Sequence, residues 1–104
     1  RFIQLQFAMQ DHIESNLING SVLHLDFATG TTEGLFPVDA HPMILKLKDH
    51  YVLCSELSRS DGSTIPVDFY ITDTSDGFQV FKHEIANRAP LKALVEAGLA
   101  KRVR

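Results

Sequence analysis

The sequence is short of most residues on which chemistry is usually hung. One of its 104 residues is cysteine, Cys54, and none is tryptophan. A lone thiol makes no internal disulfide, so the fold must hold by its core, and this usage fits a reducing, cytoplasmic setting. On a strand, Cys54 reads as a buried, inert thiol. No apolar run approaches the roughly 18 residues of a membrane span. Phe2 to Met9 is interrupted by Gln4 and Gln6 with no small-residue cleavage site after it, so it does not read as a signal peptide. Charge of one sign is lacking too: 13 acidic and 10 basic side chains leave a net −3, without the basic excess of a nucleic-acid binder. No phosphate-binding glycine loop and no nucleophile elbow occur. The five histidines are scattered, the closest two being nine positions apart, so no helix turn presents a ligand pair. Neither a metal nor a cofactor is expected.

What is present is enough apolar sequence for one domain. Apolar residues make up 44% of the chain, and its length supports one core rather than two, so residues 1–104 read as a single domain. The centre is Pro66 to Ile85. Val67, Phe69 and Ile71 alternate with Asp68, Tyr70 and Thr72, the period of a strand. Asp73-Thr-Ser-Asp-Gly77 is a turn, and a second strand follows it. On strict alternation Phe78 and Val80 lie on one face of this second strand, Phe81 and Ile85 on the other. A hairpin with one wet face would alternate cleanly. Both faces therefore need cover, either from the chain's own helices or a second sheet, or from another subunit. On the subunit reading, Tyr70, Phe78 and Val80 are the candidate interface.

Around this hairpin the elements are short. Phe2, Leu5, Met9, Ile13 and Leu17 share one helical face, so residues 2–18 read as a helix that Asn19-Gly20 would stop; a strand over 2–8 is the rival. Ser21 to Ala28 reads as a strand with Leu23, Leu25 and Phe27 on one face and His24 and Asp26 on the other. Gly34 to Val38 returns. Met43 to Lys48 and Tyr51 to Leu57 form a further hairpin, with Met43, Leu45 and Leu47 inward. Pro90, Leu91, Leu94 and Val95 give a short helix stopped by Gly98, with Leu99 folding back on Leu94. Lys101-Arg-Val-Arg104 reads as a frayed basic tail.

The expected fold is α+β: an antiparallel meander of five to six strands with an N-terminal helix and a short C-terminal helix. A strand at the N-terminus would instead make a small seven-stranded barrel capped by the C-terminal helix, an element order similar to the pleckstrin-homology type. Function is expected to be association, as a homo-oligomer or with a protein partner through a sheet face, with no nucleic acid and no membrane. The competing expectation is a small-molecule site between sheet and helix. His24 with Asp26, and Asp39 with His41, are its candidate binding residues, because a carboxylate beside an imidazole makes a proton-transfer pair.

Overall fold

A computed structural model describes residues 2–104. Helix α1 (Phe2–Ser15) is followed by β1 (Leu17–Ile18), β2 (Ser21–Asp26), β3 (Thr31–Pro37), β4 (Met43–Lys46), β5 (Tyr51–Ser58), β6 (Thr64–Thr74) and β7 (Gly77–Ile85). Helix α2 (Ala89–Glu96) and β8 (Lys101–Arg102) complete the chain. All pairings are antiparallel and the sheet is open, so the fold is α+β and does not close into a barrel. The count reaches eight strands because β1 and β8 are two-residue ladders, too short for sequence alternation to register.

Strand β5 organises the sheet. One edge pairs with β6 along its whole length, Tyr51↔Ile71 through Ser58↔Thr64. The other edge is shared: β4 takes Tyr51 to Cys54 and β3 takes Leu57 and Ser58. Ser55 and Glu56 lie between these stretches with no strand beside them on that edge.

The sheet is the middle of three layers. On one face Leu53, Leu57, Val67, Phe69 and Ile71 pack with Leu5 and Met9 of α1. On the other, Leu45, Leu47, Val52 and Tyr70 pack with Leu91 of α2 and Ala100. The cover that the central hairpin requires comes from the chain's own helices. Burying Leu5 and Met9 contributes about 1.5–3 kcal/mol each, which fixes α1 to the sheet. Eight-residue α2 is too short to persist alone and depends on its docked stripe.

Several local details differ from expectation. Asn19 and Gly20 have φ of 52° and 85° and join Ile18 to Ser21, so Asn-Gly is a two-residue hairpin turn and not a helix stop. Asn16 ends α1 instead, its side-chain amide donating to the His12 carbonyl at 2.7 Å. Strand β4 buries both faces: Ile44 lies under α1 and Leu45 under α2, while Met43 is exposed. Gly98 (φ 76°) stops α2 with Leu99 N–H donating to the Leu94 carbonyl, but the Leu99 side chain stays exposed. The basic tail is not frayed, because Lys101 and Arg102 pair with Lys46 and Leu45.

The largest departure is in β7. Tyr70 pairs with Lys82 and Ile71 with Val80, leaving Phe81 as an extra residue. This β-bulge resets the alternation. Phe78, Val80 and Ile85 all pack on the α1 side, and Phe81 alone turns to the other face, 56% exposed beside His50 and Tyr70.

Candidate functional site

Among the described residues no hydrogen bond or ion pair joins either of the expected carboxylate–imidazole pairs. His24 lies half-buried on β2 opposite Glu33, while Asp26 ends the strand and its Oδ1 accepts from the Ala28 N–H at 2.9 Å. Asp26 is a turn residue. Asp39 and His41 are both exposed in the connection between β3 and β4, and among the described residues no hydrogen bond or ion pair joins them. The candidate interface residues are split between faces: Tyr70 is buried on the α2 side, Phe78 and Val80 are half-buried on the α1 side. Among the described residues no three His, Cys, Asp or Glu side chains are grouped to hold a metal.

Three other constellations stand out. The first is an uncovered sheet face on β1–β3. Leu23 and Leu25 alternate outward on β2, opposite Gly34 and Thr32 of β3. Ile18, opposite Ser21, and Phe36, two residues from Gly34, fall on that same side. Ile18, Leu23, Leu25 and Phe36 are each between 41% and 54% exposed. The opposite face carries Val22 and Leu35, both buried. The apolar run Leu23, Leu25, Phe27 was legible as one face; that it faces outward was not, because alternation assigns sides without saying which is inside.

The second is a histidine pair. His12 on α1 and His83 on β7 approach through Nε2 and Nδ1 at 2.8 Å, with Phe69 against both rings. In the neutral pair one ring N–H donates to the other ring's nitrogen. Burial, then the neighbouring His83, holds His12 below its ordinary value; burial holds His83 down likewise, with Glu84 opposing. The cavity beside them, about 10 Å³, admits one water at most. The pair is a latch between helix and sheet rather than a ligand site.

The third is a groove of about 540 Å³ between α2 and the β8–β4–β5 edge. At its inner end Asp68 is fully buried, and its Oδ1 accepts from Arg88 Nε at 3.0 Å. Arg88 Nη2 donates to the Ser55 carbonyl, also at 3.0 Å. Ser55 is one of the β5 residues without a strand on the shared edge, and the guanidinium satisfies a carbonyl that the ladder leaves over. Asp68 Oδ2 has no hydrogen-bond partner of good geometry. Cys54 lies opposite Asp68 in register. Burial, then the Asp68 carboxylate, pushes the Cys54 thiol up to about 12, so it is inert at neutral pH.

No protein-family model, curated protein or solved structure is significantly similar to the chain.

Proposed function

We propose that the protein is an association module that pairs with a second copy of itself through the outer face of β1–β3. The observation that carries this is the uncovered apolar face of Ile18, Leu23, Leu25 and Phe36. The face bears no charged side chain among these residues or the Thr32 and Gly34 between them, so apposing it to its own copy meets no like-charge repulsion. Area agrees. A chain of 11.6 kDa exposes about 5,800 Å² at ordinary compactness. This one exposes 6613 Å². The excess, about 800 Å², matches what one partner contributes to an interface of standard size. The net charge of −3 supports a protein partner over nucleic acid, and the single reduced thiol supports a cytoplasmic setting.

Sedimentation equilibrium at micromolar concentration tests the proposal. The expected mass is twice 11.6 kDa. Leu23→Asp with Leu25→Asp should weaken dimerisation by more than about a hundredfold, since two desolvated carboxylates are added at the centre. A wild-type monomer at these concentrations overturns the proposal.

A further inference from the structure

The groove beside α2 has a floor and a rim of opposite character. Met43, Leu45, Leu91, Val95 and Ala100 make the floor; Arg88, Lys92 and Arg102 stand at the rim against one acid, Glu96. Three cations against Glu96 at the rim and Asp68 behind Arg88 leave a local excess of one positive charge on a chain whose net charge is −3. The cations also differ in readiness. Lys92 is exposed on α2, one turn beyond Arg88, the residue that precedes the helix. Arg88 is held from behind by buried Asp68 and the Ser55 carbonyl, with its side chain 37% exposed. Both hydrogens on Nη1 and one on Nη2 remain uncommitted among the described residues, in a guanidinium already fixed in orientation. Such a group binds a carboxylate without first losing rotamer freedom.

We propose that this groove binds a medium-chain carboxylate, its head at Arg88, Lys92 and Arg102 and its unbranched tail over the apolar floor. Among the described residues no aromatic side chain lines the groove, which leaves no stacking surface for a nucleobase or a flat ring. The floor follows α2, whose eight residues span about 12 Å, an elongated shape suited to a flexible chain. Cys54 lines the groove with its thiol protonated and takes no covalent part. The site shares no residue with the β1–β3 face and does not rest on dimerisation.

Calorimetric titration with decanoate tests the proposal, with 1-decanol as the uncharged control. Decanoate is expected to bind, decanol to bind about tenfold or more weakly, and Lys92→Glu to weaken decanoate about tenfold, the worth of one charge-assisted contact. Lys92 is exposed on a helix, and circular dichroism will show the variant folded. Val95→Asp, at an exposed floor position, should lower affinity for both ligands. Absence of decanoate binding at millimolar concentration overturns the proposal. So does equal affinity for decanol, or decanoate affinity indifferent to Lys92→Glu in a folded variant.

Discussion

At the residue scale the costliest single group is the Asp68 carboxylate. It is fully buried, with Arg88 as its counter-charge and one oxygen without a partner of good geometry. Removing one member of a buried pair strands the other charge. Arg88→Ala should therefore destabilise the protein toward the low end of about 3–5 kcal/mol, the low end because the arginine is itself partly exposed. Adding Asp68→Leu to that variant should recover most of the loss, since the stranded charge is gone. Urea unfolding of the single and double variants measures both. The sequence placed Asp68 on the second face of a strand whose two faces need cover, which was the available signal that it is buried. Arg88 carried no signal, because its role depends on the split edge of β5, a tertiary fact with no local periodicity.

At the element scale the hold of α1 depends on pH. Both His12 and His83 sit below their ordinary value of 6.5. The folded protein keeps them neutral while the unfolded chain takes up protons below that value. The unfolded state then binds more protons, so the stability they contribute is complete above about pH 6.5 and is lost as pH falls through the lower folded values. The urea midpoint should drop between about pH 7.5 and pH 5.5, a window chosen above the range where ordinary carboxylates titrate. His83→Phe should flatten that drop. A second element-scale constraint lies where β2 meets β3. A Cβ on Gly34 would stand 2.9 Å from the Ser21 Oγ. Gly34→Ala should cost about 1–3 kcal/mol by overpacking, and Ser21→Ala should relieve part of it; thermal melts of the three variants decide. Helix α1 itself was readable, since Phe2, Leu5, Met9 and Ile13 repeat at helical spacing and face the core. Its end was not, because Asn-Gly serves both helix stops and hairpin turns.

At the scale of the whole molecule the fold class was legible and the surfaces were not. Turn signals and alternation give an antiparallel sheet with a helix at each end. They do not give the sharing of β5 between β3 and β4, which leaves the β1–β3 portion paired to the rest of the sheet, among the described residues, only at Phe36↔Ser58 and Pro37↔Leu57. That portion exposes the face proposed to dimerise. The shape agrees: the radius of gyration is 13.9 Å, against about 12.9 Å for a compact domain of this length. Dimerisation should show as a hydrogen-exchange difference, with β2 and β3 amides protected more strongly at high than at low protein concentration.

Phe81 has a wider consequence than its own position. Downstream of it, odd-numbered side chains face α1 and even-numbered ones face away; upstream, the reverse holds. Deleting Phe81 would leave those sides unchanged, whereas ironing the bulge out with Phe81 kept in the ladder would carry Lys82 and Glu84 to the helix side and expel His83 and Ile85. The imidazole latch on α1 thus exists because the bulge takes up one residue of a neighbouring strand, and a one-residue slip that lost the bulge would exchange charge for core in one step.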